Sequence, residues 1–192
     1  MRARNSSRGV QEPEALAAAY ACFARTGLQR TTVEDIAREL GRSRPVVYRH
    51  FSDKHDAFRK VAQQLLDEAL DQARSGAEGT GPAAGRVLAV VDAKLELAAR
   101  VHRDSPHHAR EILAADSNVL AGQVAAYLAQ LGDLIVTVLQ DAVPAARARE
   151  VADILLALTR GLEDDLSNPG RARALLRLAV EQLTTSPVSP AG

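Results

Sequence analysis

The 192-residue sequence predicts an all-α fold of about nine helices, with a small N-terminal head joined by a long helix to a larger helical body. Three observations lead there. Apolar residues recur at spacings of three and four through most of the chain, the period of a helix that buries one stripe. No run alternates apolar and polar residues as a half-buried strand requires. Glycine, proline and short polar residues cluster between the periodic runs, where helices start and stop.

Residues 1–12, with Arg2, Arg4 and Arg8, have no periodicity and read as a flexible basic arm. Such an arm lies along phosphates or in a minor groove, or serves only as a solubilising tail. Pro13 opens the first helix, whose stripe is Leu16, Ala19, Tyr20 and Phe23, and Gly27 ends it. Thr32 stands as an N-cap, and Asp35 three residues on completes a capping-box spacing. Val33, Ile36, Ala37 and Leu40 give the second helix its stripe, and Gly41 follows where a left-handed C-cap is needed. Ser43 can cap a third helix with Pro45 in its first turn. That helix buries Val47 and Phe51, which join Phe23 and Ile36 in a small core, and turns Arg44, Val46, Tyr48, Arg49 and His50 elsewhere. A short helix carrying arginine, tyrosine and histidine after a glycine turn is the pattern of a helix-turn-helix with a DNA-reading second helix. A helical hairpin with a solvated basic face has the same spacing.

Residues 13–60 resemble the N-terminal DNA-binding domain of TetR-type (TetR/AcrR-like) transcriptional regulators, most of them repressors. The likeness rests on LAAAYACFARTG, the TTV helix start, IARELG, VYRHF and the following Lys54. By position on the third helix, Arg44 is placed for a bidentate contact with guanine, and Val46 and Pro45 for a thymine methyl. Arg42 in the turn reaches a base or a phosphate. The resemblance implies phosphate contacts from Thr32, Tyr48, His50 and Lys54, whose hydroxyl, phenol, imidazole and ammonium groups suit that work.

Ser52 and Asp53 cap the next helix, where Phe58, Val61, Ala62, Leu65, Leu66, Ala69, Leu70 and Ala73 repeat for more than four turns. This helix links the head, residues 13–58, to the body, residues 59–185. Residues 75–85 carry four glycines and a proline and read as a loop. From Arg86, the residues Val87, Val90, Val91, Lys94, Leu95, Ala98 and Val101 track one face of a helix. A short helix after Pro106, a long apolar one from about residue 119 to 143, and two more at about 146–167 and 171–185 complete the set. Residues 186–192 read as a frayed tail.

Apolar residues make up 46% of the chain and charged residues 25%, ordinary for a globular protein. No run of about 18 consecutive apolar residues is present, so no membrane partner is expected. The first fourteen residues lack the apolar core of a secretory signal. The single cysteine, Cys22, rules out an internal disulfide framework and fits a reducing cytoplasm. A net charge of zero hides an asymmetry: residues 1–60 hold 12 Lys+Arg against 7 Asp+Glu, and residues 61–192 hold 12 against 17. A basic head on an acidic body fits a nucleic-acid partner for the head alone. With no glycine-rich phosphate loop, no base near Cys22 in sequence, and His102, His107 and His108 without a matching carboxylate cluster, we expect no enzyme, no cofactor and no metal site.

The resemblance further implies a homodimer on a palindromic operator, with the last two helices of each subunit forming a four-helix bundle. The matching apolar positions are Val151, Ile154, Leu155, Leu158, Leu162, Leu175, Leu176 and Leu178. It also implies a repressor released by a small effector held among the middle helices. Tyr127 is the sole aromatic after Phe58, so any such pocket is mostly aliphatic and its effector mostly apolar. Candidate polar residues for orienting it are His102, Asn118, Tyr127, Thr159 and Glu163. A DNA-binding protein that is ligand-independent, or regulated by a protein partner, is the other reading.

Overall fold

A computed structural model describes residues 10–113, 119–163 and 166–185, and these contain nine α-helices and no strand. The head comprises α1 (Glu12–Arg30), α2 (Val33–Glu39) and α3 (Arg44–Val47). The 24-residue α4 (Lys54–Ala77), about 36 Å long, leads from the head into a body made of α5 (Ala83–Asp104), α6 (Ala109–Leu113), α7 (Ala121–Leu139), α8 (Ala145–Glu163) and α9 (Pro169–Thr185).

The local signals read from the sequence explain most of these limits. Thr32 caps α2, its hydroxyl oxygen accepting from the Asp35 backbone N–H while the Asp35 carboxylate accepts from the Thr32 N–H. Gly41 ends α2 at φ +64°, a conformation in which a side chain is strained. Asp53 caps α4 by accepting from the Asp56 N–H. Ser43 stands at the N-cap of α3 but its side chain makes no capping bond. Gly27, at φ +75°, kinks α1 without ending it; the helix resumes for one short turn to Arg30.

Elsewhere the boundaries move. The glycine-rich segment expected as a loop over 75–85 is shorter, because α4 runs on to Ala77 and α5 begins at Ala83. Gly76 is helical, and a Cβ there would lie 2.7 Å from the Ala89 Cβ, so its lack of a side chain is what lets α4 and α5 cross closely. The arm expected over 1–12 gives way by Glu12, where α1 starts, and Val10 packs against the head core. Residues 1–9 and the tail at 186–192 lie outside the described residues.

Two apolar clusters hold the molecule. In the head, Phe23, Ile36, Val47, Phe51 and Phe58 meet, with Phe23 and Phe58 edge-on at 5.2 Å. This core does not stop at the expected boundary of 58; it continues along α4 through Val61, Ala62 and Leu65 to Val101 of α5, Ala109 and Ile112 of α6, and Leu120. Polar contacts reinforce the joint: the Ser105 hydroxyl donates to the Ala24 carbonyl at 2.9 Å and the Tyr20 hydroxyl to Asp104 at 2.8 Å. The second cluster gathers α4, α5, α7, α8 and α9 around Val90, Leu131, Ile135, Leu155 and Leu176.

Among the described residues one helix, α7, is long and apolar enough to cross a membrane by length and composition, with a mean hydropathy of 1.4, although the sequence has no unbroken run of 18 apolar residues. Its buried residues, Tyr127, Leu131, Ile135, Val138 and Leu139, belong to the body core.

Candidate nucleic-acid interface and ligand cavity

The α2–turn–α3 unit presents one exposed face. Arg42, Arg44 and Pro45 are exposed, Val46 is half-buried, and Tyr48 stands 48% exposed, a large exposure for a phenol ring. Beneath them Val47 and Phe51 are almost fully buried and fix the helix to the head core. The Arg44 guanidinium sits 2.7 Å from the Glu34 carboxylate at the start of α2. Tyr48 and Glu34 beside it push its already high pKa further up, so it carries its charge at any physiological pH.

The residues expected to grip phosphates are more occupied. The Thr32 hydroxyl donates to Asp35 at 2.7 Å as part of the α2 cap. The Lys54 ammonium donates to the carbonyls of Leu28 (3.2 Å) and Gln29 (3.0 Å), closing the C-terminal end of α1. His50 is half-buried beside Phe51, and its carbonyl accepts from the Lys60 ammonium at 2.7 Å. An ammonium has three donors, so Lys54 retains one beyond its two carbonyls. The capping role is one that spacing could not reveal, because its partners lie 25 and 26 residues away.

The body holds a cavity of about 590 Å³ between α4, α5, α6, α7 and α8, within the usual range for small-molecule sites. Its wall is mainly aliphatic, and His102, Tyr127 and Glu163 contribute polar groups. Three polar residues not expected from the sequence also line it: Lys94, Arg110 and Arg160. Lys94 is buried and bonds Glu163 at 2.5 Å. A lone lysine inside the stripe of Val90, Val91, Leu95 and Ala98 was the available signal. The His102 Nδ1 lies 2.9 Å from the Ala98 carbonyl. Tyr127 is buried with its hydroxyl lacking a hydrogen-bond partner among the described residues, and burial followed by the nearby Glu163 charge pushes the phenol pKa up.

Residues 15–61 match the family model for bacterial regulatory proteins of the tetR family. The chain carries a TetR-family DNA-binding domain. Over 68 residues it is 38% identical to the uncharacterized HTH-type transcriptional regulator YfiR of Bacillus subtilis, covering 35% of this chain and 33% of that one. Over 60 residues it is 33% identical to the HTH-type transcriptional repressor AcnR of Corynebacterium diphtheriae, covering 31% and 32%. The chain thus spans about a third of the length of the curated relatives it matches. The whole fold is similar to a transcriptional regulator from Rhodococcus sp. RHA1 (TM-score 0.73, 25% identity, 91% of this chain and 96% of that one). It is also similar to the transcriptional regulator FadR of Bacillus subtilis in complex with stearoyl-CoA (TM-score 0.69, 15% identity, 91% and 98%).

Within this TetR-like fold the expected effector and dimer residues sort by position. His102, Tyr127 and Glu163 meet at the cavity, whereas Thr159 does not: it is fully buried, and its hydroxyl donates to the Leu155 carbonyl at 2.6 Å. Asn118 lies outside the described residues. Of the apolar positions expected at a dimer face, Val151, Leu155 and Leu176 are instead part of the protomer's own core, each no more than 1% exposed, and leave that list. The stripe that faces inward on a helix is the stronger apolar signal, and sequence alone does not say which of two stripes a partner covers. Ile154, Leu175 and Leu178 are the exposed large aliphatics of the described residues, with Leu158 and Leu162 half-buried on the same helix as Ile154. Among the described residues no group of three His, Cys, Asp or Glu is placed to hold a metal ion.

Proposed function

We propose that the protein is a homodimeric, sequence-specific DNA-binding transcriptional regulator, acting as a repressor that a small effector releases from its operator in the cytoplasm. The observation that carries the reading is the exposed face of α3, with Arg44 charged at its N-terminal end and Tyr48 projecting beside it, on a head of the TetR family. Arg44, Pro45, Val46 and Arg42 read base edges. Tyr48, His50, Thr32 and the remaining donor of Lys54 meet phosphates. The match to a curated repressor supports negative control.

One head offers few base contacts, so two heads about 34 Å apart are needed for tight binding to successive major grooves. Ile154, Leu158 and Leu162 of α8 with Leu175 and Leu178 of α9 form the surface that a second copy covers. The cavity, and a structural neighbour solved with stearoyl-CoA, support an apolar effector. Ala62, Leu65, Val101, Ile112 and Leu120 belong both to the cavity wall and to the core that continues into the head. A ligand that repacks them shifts the set of α4 and with it the spacing of the heads, by differential affinity for the two arrangements. Selection of bound sequences from a random duplex pool tests the reading. It predicts a two-half-site sequence with centres one helical turn apart or a multiple of it; recovery of unrelated sequences would refute it.

A further inference from the structure

We propose that the cavity takes an uncharged, largely aliphatic ligand bearing one hydrogen-bond acceptor, a ketone or ester oxygen, which accepts from the Tyr127 hydroxyl. The inference rests on this cavity being the effector site and goes further by fixing the chemical class of what fills it.

Tyr127 is the most unusual polar group of the interior. It is 4% exposed, lines the cavity, and its hydroxyl has no hydrogen-bond partner among the described residues. Buried hydroxyls are nearly always paired, because an unmade bond costs their full desolvation. The neighbouring carboxylate does not fill the gap: Glu163 is engaged with the Lys94 ammonium at 2.5 Å. A phenol in this setting stays protonated and is a donor awaiting an acceptor.

The charges on the wall decide against an anionic head. Lys94 and Glu163 already neutralise each other, with side chains 8% and 22% exposed. A carboxylate ligand that took Lys94 would strand Glu163 in a poorly solvated place, a costly exchange. Arg110 and Arg160 also line the cavity, but both are exposed, and water screens their attraction for an anion. His102 is anchored to the Ala98 carbonyl. A neutral acceptor satisfies Tyr127 and disturbs none of these.

The rest of the wall sets the body of the ligand. Leu65, Leu97, Val101, Ile112, Leu128 and Leu156 surround the space, and Tyr127 is the sole Phe, Tyr or Trp there. Flexible aliphatic chains fit such a surface, whereas extended aromatic ring systems find no stacking partner beyond one phenol.

Two probes test this on the full-length protein: methyl decanoate, a neutral ester, and decanoate, the matching anion, each titrated with and without the selected operator duplex. The expected result is that methyl decanoate binds at least tenfold more tightly than decanoate. Tyr127→Phe should weaken the ester about three- to tenfold, the usual worth of one hydrogen bond, and leave decanoate unchanged. Equal or tighter binding of decanoate, or an ester affinity indifferent to Tyr127→Phe, would overturn the inference. The wild-type comparison needs no variant, so it stands even if Tyr127→Phe folds poorly. Release from DNA separates the two readings. Decanoate binding tightly and releasing operator refutes the ligand class but keeps the effector site. Methyl decanoate binding as expected without releasing operator keeps the class and refutes regulation. Binding of neither probe overturns both.

Discussion

Glu34 at the start of α2 holds Arg44 at the start of α3, their charged groups 2.7 Å apart on the exposed side of the head. In the base-reading role proposed for Arg44, the guanidinium starts parked against a carboxylate, and a guanine edge would replace that partner. Wrong bases would offer no equivalent exchange, so on this proposal the pair sharpens discrimination as well as orienting the side chain. Arg44→Ala should relax the preference at one position per half-site, by about 1–3 kcal/mol. Glu34→Gln should raise affinity for scrambled duplex more than for cognate. Anisotropy titrations on both duplexes at several salt concentrations measure each effect; equal losses on both duplexes from Arg44→Ala would remove it from base reading.

Lys54 joins α4 to the end of α1 through the Leu28 and Gln29 carbonyls. Lys54→Met should therefore lower head stability, by about 1–3 kcal/mol for the lost charge-assisted bonds, besides weakening DNA binding without regard to sequence. Chemical denaturation reads the first effect and salt-dependent binding the second. A variant as stable as the parent would show that the carbonyl contacts contribute nothing.

Gly76→Ala tests the α4–α5 crossing. Alanine gains about 1 kcal/mol of helix propensity over glycine, but its Cβ would meet the Ala89 Cβ at 2.7 Å, and neither atom sits on a flexible side chain. Overpacking of that kind costs about 1–3 kcal/mol, so a net loss is expected. Adding Ala89→Gly should remove the steric part of the loss, as thermal unfolding of the single and double variants would show.

Arg100 of α5 bonds Glu68 of α4 at 2.8 Å and holds its carboxyl below the ordinary glutamate value of 4.5. A depressed folded-state pKa contributes stability above the unfolded value, which is lost as pH falls through the folded one. The link should weaken below about pH 4.5, and Glu68→Gln, which removes the ionised partner at every pH, should lower the melting temperature near neutrality and flatten its fall below about pH 4.5.

Leu178 is the most exposed large aliphatic of α9, at 54%. Leu178→Arg should yield a monomer in sedimentation velocity that binds half-sites singly and weakly, whereas Leu176→Ala, at a position inside the protomer, should cost stability and leave self-association intact. Dissociation by the second variant alone would reverse the assignment of the two faces.

Much of the head was legible in the sequence because its determinants are local. Thr32 and Asp35 cap α2 from three residues apart, and Gly41 ends it where a positive φ is required. Tertiary partners were not. Lys54 reads as a free cation until α1 is folded beside it, and Thr159 reads as a cavity hydroxyl until the packing around its helix buries it. The dimer positions divided for the same reason: Leu155 and Leu158 belong to one apolar run, and only the neighbouring helices decide that the first is inside. Lys94 was visible as a charge in an apolar stripe, yet its partner Glu163 lies 69 residues away.

The most direct test of the central claim is the affinity of the full-length protein for its selected two-half-site duplex against a scrambled duplex of equal length, at physiological salt. The account predicts a preference of about a thousandfold or more, with two protomers per duplex. Equal affinity for the two duplexes, or saturation by a single protomer, would contradict it.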